Sequence, residues 1–315
     1  MKDKTGREIR YLRLSITDNC NLRCRYCAPA ETLHSAGAPL SADEIEEIAR
    51  AAIALGLDKI RLTGGEPLTR PDLLNICRRV ALIPGLRELA MTTNGILLAE
   101  YAAALKTAGV NRVNISLDTL DPDKFRTFTR GGELSQVLQG IEAAERVGLT
   151  PLKLNVVLMG GENEDEIADF VGLTQYRPIN VRFIELMPIG ESADWQPERF
   201  ISGDAVLEAC PTLVPEPGAN DGVARVYRLP GGVGKIGLIS PMSQHFCDRC
   251  NRIRVTADGK LKPCLHSDQE LSLRGLHGAE LIAALKAGIG EKPDSHNMAT
   301  DRPSEAGRNM HQIGG

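Results

Sequence analysis

The stretch Tyr11–Cys27, "YLRLSITDNCNLRCRYC", decides how the rest of the chain is read. A run of strand character, Tyr11–Thr17, ends in a loop that carries Cys20, Cys24 and Cys27. Thiolates are the usual ligands of iron–sulfur clusters, and a C-x3-C-x2-C loop can wrap three corners of one cube. The fourth iron then has no protein ligand and is open to a substrate, as catalytic metals are. From spacing alone, a zinc site completed by a distant histidine such as His34 is the alternative.

Working outward, the strand-then-loop pattern recurs. Strands are expected at Lys59–Thr63, Leu89–Thr93, Arg112–Leu117, Leu152–Leu158 and Asn180–Leu186. Helices are expected between them at Ala42–Leu55, Asp72–Leu82, Leu97–Ala108, Gln136–Val147 and Asp165–Tyr176. Ser41 is placed as an N-cap with Glu44 at the capping-box position. Gly56, Gly109 and Gly148 sit where helices stop. Repeated βα units imply a parallel sheet with right-handed crossovers. Six such strands are too few for a closed eight-stranded barrel, so the fold class is α/β, a partial (βα)6 TIM-like barrel. Chemistry then belongs at the C-terminal ends of the strands. There the sequence places Cys20–Cys27, Gly64-Gly65-Glu66-Pro67, Thr92-Thr93-Asn94-Gly95, Ser116-Leu117-Asp118 and Glu185-Leu186-Met187.

The pattern changes near residue 195, which divides the chain into 1–195 and a smaller C-terminal domain, 196–315. In the second part, a helix at Asp204–Cys210 precedes strands at Val223–Leu229, Val233–Ile239, Asn251–Thr256 and Lys260–Pro263, and a helix lies near Glu280–Lys286. A second trio, Cys247, Cys250 and Cys264, is spaced C-x2-C-x13-C. His245 and His266 leave a Cys3His zinc site open as an alternative there. Cys77 lies on an apolar helical stripe and is expected in the core, and Cys210 suggests no role.

Composition excludes several classes. Net charge is −4, so no global field draws the protein to nucleic acid or anionic membrane, and any anionic substrate needs a local basic pocket. Aromatics are 4%, too few for a base-stacking platform. No apolar signal core or run of about 18 apolar residues occurs, so a cytoplasmic protein without a membrane span is expected. In that compartment the eight cysteines are metal ligands or free thiols rather than disulfides. A dinucleotide dehydrogenase is excluded because no G-x-G-x-x-G follows the first strand.

The cysteine loop, with Tyr26 before its last cysteine, resembles the signature of radical S-adenosylmethionine (SAM) enzymes, and Gly64-Gly65-Glu66-Pro67 resembles their SAM-binding turn. With the second trio, the Asn251-Arg252-Ile253-Arg254 stretch and the terminal Gly314-Gly315, the chain is similar to the GTP 3′,8-cyclase family, molybdenum cofactor biosynthesis protein A. Residues 265–308 match that family least. The resemblance implies two [4Fe–4S] clusters, one on Cys20, Cys24 and Cys27 and one on Cys247, Cys250 and Cys264. The first would bind and cleave SAM to a 5′-deoxyadenosyl radical. That radical would take the ribose 3′-hydrogen of GTP and lead to 3′,8-cyclo-7,8-dihydroguanosine triphosphate. The second would hold the guanine. Tyr26, Gly65, Ser116 and Met187 match SAM contacts, and Arg13, Arg61, Thr92, Lys153, Arg252 and Arg254 match GTP contacts. Gly314 and Gly315 would enter the active site. An electron donor such as flavodoxin or ferredoxin and a downstream cyclic pyranopterin monophosphate synthase are implied as partners, and a homodimer is allowed.

The residues themselves support parts of this. Arg13, Arg61 and Lys153 can point into a barrel, where charge is costly without an anionic partner. Arg252 and Arg254 alternate on one strand and so share a face. Read one at a time, each arginine is as easily a surface ion pair, Met187 is core packing, and the tail is a solvated end. A radical SAM peptide-modifying maturase is the alternative function, and a zinc-binding interaction module is a third.

Overall fold

The computed structural model describes residues 1–29, 37–193, 199–218, 222–299 and 302–314. The expectations for His34, Gly315 and a boundary at residue 195 fall outside the described residues.

Six strands lie side by side in chain order, all parallel: β1 (Tyr11–Ser15), β2 (Lys59–Thr63), β3 (Glu88–Thr93), β4 (Arg112–Ser116), β5 (Leu152–Leu158) and β6 (Ile179–Glu185). The connections carry α1 (Ala42–Ala54), α2 (Leu73–Ala81), α3 (Leu98–Thr107), α4 (Pro122–Thr129), α5 (Leu134–Arg146) and α6 (Ile167–Gly172). The expected partial barrel is therefore present. α1 shows the local logic. Ser41 and Glu44 form the capping box, and Ile45, Ile48, Ala49 and Ala52 make the buried stripe at helical spacing. Two expectations differ. α4 was not foreseen, and α6 stops at Gly172 after a single 3-10 turn at Glu164–Glu166.

Strand alternation sorts the side chains. Leu12 and Leu14 of β1, Ile60 and Leu62 of β2, Leu154 and Val156 of β5 and Val181 and Phe183 of β6 face the helices and form the main core. The intervening positions, including Arg13, Arg61, Asn114, Lys153 and Arg182, lie on the concave face.

The C-terminal third builds on both edges of this sheet. It contributes α7 (Ala205–Ala209), β7 (Val214–Pro215), β8 (Arg225–Arg228), β9 (Lys235–Ile239), β10 (Arg252–Val255), β11 (Lys260–Lys262), β12 (Leu271–Ser272), α8 (Gly278–Gly290) and α9 (Met310–Ile313). β9 pairs parallel with β6, and β10 pairs parallel with β1. Among the described residues the result is one open twelve-stranded sheet ordered β12-β11-β10-β1-β2-β3-β4-β5-β6-β9-β8-β7, with antiparallel pairs at its two ends. Consecutive strands β9 and β10 thus sit on opposite sides of the six-stranded unit. Their connection, 240–251, leaves the C-terminal end of β9 and enters β10 beside the start of β1, where Tyr11 pairs with Arg252. That connection carries Cys247 and Cys250. α8 packs on α1 and β11.

Candidate functional site

This topology puts the two cysteine trios at opposite ends of the strands. Cys20, Cys24 and Cys27 follow the C-terminal end of β1. Cys250 precedes the start of β10, and Cys264 follows β11, which runs back toward that same end. About 15 Å of strand separates the two ends, at the usual rise per residue. All six cysteines line one cavity, together with Arg13, Tyr26, Arg61, Gly65, Thr92, Ser116, Met187, Arg252 and Arg254. Of the residues expected at the site, Gly314 is not among the lining, and neither is Lys153. Lys153 is buried on β5, two positions before Asn155, which does line the cavity on the same face.

Three arginines stand in a row. Arg13 is the register partner of Arg254 on one side and of Arg61 on the other. Like charges placed directly across strands repel. Burial, with Arg13 and Arg252 nearby, holds the Arg254 guanidinium well below its ordinary value. Burial also pushes Arg61 down to about 9; the Tyr11 phenol opposes that shift, and Arg13 and Arg112 add to it. The Nε atoms of Arg13 and Arg61, and Thr92 Oγ1, have no hydrogen-bond partner among the described residues. A buried cationic row with unused donors fits a polyanion such as a triphosphate. Below it, the Tyr11 ring lies 5.0 Å from Lys59 Nζ and 5.4 Å from the Arg61 guanidinium carbon.

The donor set fits iron–sulfur ligation. Burial pushes the Cys20 thiol up to about 11 and holds those of Cys24 and Cys27 higher still. Such thiols become thiolates only when a positive centre sits between them, as metal binding provides. At the other end burial also disfavours the Cys250 thiolate, but Arg252 and Lys292 outweigh it and bring the thiol down to about 6. A mononuclear zinc would need sulfurs about 3.8 Å apart, from tetrahedral Zn–S bonds of about 2.3 Å. Neither trio gathers its ligand atoms within 4.8 Å; among the described residues, His245, Cys247 and His296 do.

The glycine turn after β2 has a reason beyond ligand access. A Cβ on Gly64 would lie 2.2 Å from Thr17 O, and one on Gly65 would lie 2.3 Å from Asn19 O. These glycines let the turn press against the cysteine loop, where Gly65 N donates to Thr17 O and Glu66 N to Asn19 O, both at 2.7 Å. The Glu66 side chain is fully buried and accepts from Leu68 N, Thr93 Oγ1 and Asn94 N. Burial pushes its carboxyl up to about 7 despite these donors. Glu66→Gln turns one acceptor into an NH2 group facing an N–H. The expected cost is on the order of 1–3 kcal/mol, read as a lower denaturation midpoint in the absence of substrates. An unchanged midpoint would mean that the carboxylate is not what holds the turn.

The tail is a packed element. Ile313 is buried beside Ile189 and Met298, and Gly314, in the left-handed region at φ 75°, accepts from Arg254 Nη1 at 2.6 Å. His311 Nδ1 lies 3.2 Å from Cys27 O, so the tail touches the first cysteine loop as well. Sequence reasoning left other contributors out. Lys292 Nζ donates to Arg252 O and Pro263 O, and Arg7 Nη1 donates to Cys247 O at 2.8 Å. Both shape the second trio, and both come from segments that carry no local signal of it. Asp118 and Glu185, which the sequence does place at strand ends, are engaged by the protein itself: Asp118 accepts from Tyr26 OH, and Glu185 accepts from the backbone N–H groups of Gly203, Met242 and Ser243.

Comparison with known proteins agrees with this layout. The family model described as Radical SAM superfamily matches residues 14–174, and that described as Molybdenum Cofactor Synthesis C matches 179–298. Among solved structures, SuiB of Streptococcus suis bound to S-adenosylmethionine has a TM-score of 0.57 at 15% identity, covering 90% of this chain and 66% of that one. That likeness is one of fold alone. The GTP 3′,8-cyclase of Alkaliphilus oremlandii is 51% identical over 320 residues, and that of Moorella thermoacetica 48% over 330, each spanning 100% of both chains. With identity of this order along its whole length and both halves matched, the chain belongs to the GTP 3′,8-cyclase family of the radical SAM superfamily.

Proposed function

We propose that the chain converts GTP to (8S)-3′,8-cyclo-7,8-dihydroguanosine 5′-triphosphate, the first step of molybdenum cofactor biosynthesis. The observation that carries this reading is a single cavity with a cysteine trio at each end and the row Arg254–Arg13–Arg61 between them. Cys20, Cys24 and Cys27 would hold a [4Fe–4S] cluster, which together with SAM would supply one-electron chemistry at that end of the cavity. Tyr26, Gly65, Ser116 and Met187 hold SAM at that end. Arg13, Arg61, Thr92, Arg252 and Arg254 hold the triphosphate and ribose of GTP, and Lys153 adds positive charge from within the sheet. Cys247, Cys250 and Cys264 would hold a second cluster, which would supply a site for the guanine at the other end. The cavity walls keep water from the reacting carbon. A flavodoxin- or ferredoxin-type donor supplies the electron, and a cyclic pyranopterin monophosphate synthase consumes the product in the cytoplasm. None of the described helices is long and apolar enough to cross a membrane. A homodimer is allowed by this reading, and size-exclusion chromatography tests it.

The test is anaerobic incubation of reconstituted protein with GTP, SAM and a reductant, followed by mass analysis of the nucleotide. A GTP-derived product of unchanged mass with altered chromatography is expected, and unreacted GTP beside cleaved SAM would overturn the reading. Arg252→Ala should weaken GTP far more than SAM. It loses a charge-assisted hydrogen bond of about 1.5–3 kcal/mol, or about 10- to 150-fold in affinity. Calorimetry with each ligand checks this, and equal losses would indicate general damage.

A further inference from the structure

Next to the second cysteine trio lies a different set of metal donors. His245, Cys247 and His296 bring one ligand atom each to within 4.8 Å of one another. The rings of His245 and His296 are 4.4 Å apart between centroids, and that of His266 lies 4.7 Å from His296. His245 is exposed, while Cys247 and His296 are half-buried, so an ion can reach the group from solvent. The elements that supply these donors are far apart in the chain. His245 and Cys247 come from the connection between β9 and β10, and His296 comes from the segment after α8. Arg7 joins the two, donating to Cys247 O and to the carbonyls of Pro293 and Asp294.

We infer that His245, Cys247 and His296 form a mononuclear site for a divalent transition metal of the zinc class, distinct from the cluster ligand set but sharing Cys247 with it. Two imidazoles and one thiolate supply three of the four ligands such an ion takes, and water completes the tetrahedron. Cys250 and Cys264 lie outside this group. One thiolate serves either set, so a chain that takes zinc here cannot complete a cluster on Cys247, Cys250 and Cys264. This exclusion rests on the second-cluster reading; the mononuclear site does not. Metal availability while the chain acquires its clusters then decides which form is made.

The experiment titrates cobalt(II), a coloured substitute for zinc, into full-length protein stripped of metal without air. One equivalent should give tetrahedral d–d bands and a charge-transfer band of a single thiolate. Cys247→Ser should abolish the charge-transfer band. His296→Ala and His245→Ala should each weaken binding at least 10-fold, since losing even an outer partner of a ligand costs about 10–100-fold. Cys250→Ala and Cys264→Ala should keep the spectrum, with circular dichroism checking that each variant is folded. Loss of the spectrum in Cys250→Ala, or no cobalt binding by folded parent protein, overturns the site. A second arm reconstitutes iron and sulfide with and without a prior equivalent of zinc. Zinc-loaded parent should take up about four fewer irons, and zinc-treated His296→Ala should take up the full number. If zinc-loaded parent still fills both cysteine trios, the exclusion is wrong. If zinc-free parent itself takes only about four irons, the second-cluster reading fails while the cobalt result stands.

Discussion

Gly314→Ala is expected to lower GTP cyclisation roughly 100-fold or more while SAM binding and iron content stay at the parent level. Gly314 has φ 75°, which an alanine adopts only under strain. Its Cβ would lie 2.3 Å from Thr63 Oγ1 and 3.2 Å from Ser15 Cβ. Ser15 and Thr63 are register partners at the ends of β1 and β2, so both are held by the sheet. Thr63 is β-branched and buried, with little room to turn aside. The tail must therefore lift, and its carbonyl leaves Arg254. Arg254 belongs to the cationic row, so the displacement reaches the proposed GTP site through that contact. A misplacement of about 1 Å is worth about 100-fold in rate. Deleting Gly314 and Gly315 should give a similar loss. A peptide ending in Ile-Gly-Gly should restore part of it at high concentration, because tethering no longer supplies the effective concentration. The measurement is cyclised GTP per SAM consumed. A parent-like ratio and rate in Gly314→Ala would return the tail to a passive end.

What the sequence revealed and what it hid follow from range. β2 and β5 were placed to the residue because alternation on a buried sheet is a local signal. α1 was legible from its capping box. α4 does carry a local signal: Asp121 caps it by accepting from Asp123 N and Lys124 N, and Pro122 sits at its first position. The expected helix to Tyr176 ran past Gly172, because a short apolar run does not mark its own end. The cysteines and the alternating Arg252 and Arg254 were readable because their spacing is short. The placement of β10 beside β1 was not, since its partner lies some 240 residues earlier and no local pattern carries register. For that reason the sequence placed the chemistry at one end of the strands, and the structure spreads the candidate site over both. His296, Lys292 and Arg7 were hidden for the same cause. Each reaches the second trio from a distant, weakly patterned segment.

Cys24→Ala and Cys250→Ala should fail in opposite ways. Parent protein, fully reconstituted, is expected to hold about eight irons per chain, and each variant about four. Cys24 lies in the loop after β1 and shares its end of the cavity with Tyr26, Gly65 and Met187. Its loss should remove SAM cleavage altogether and leave the distant trio able to take up iron, because about 15 Å of strand separates the two ends. Cys250 lies beside Arg252 and Lys292, at the end where β10 starts. Its loss should leave SAM cleavage measurable and abolish cyclisation, since the radical would form with no correctly held guanine to receive it. Product then depends on both ends, and SAM consumption on one. Chromatography of 5′-deoxyadenosine and of cyclised nucleotide from the same reaction separates the two quantities. If Cys250→Ala cyclised GTP at the parent rate, the second trio would have no part in holding the substrate. If it lost SAM cleavage as completely as Cys24→Ala, the two trios would be one structural unit, and the division of labour along the cavity would be wrong.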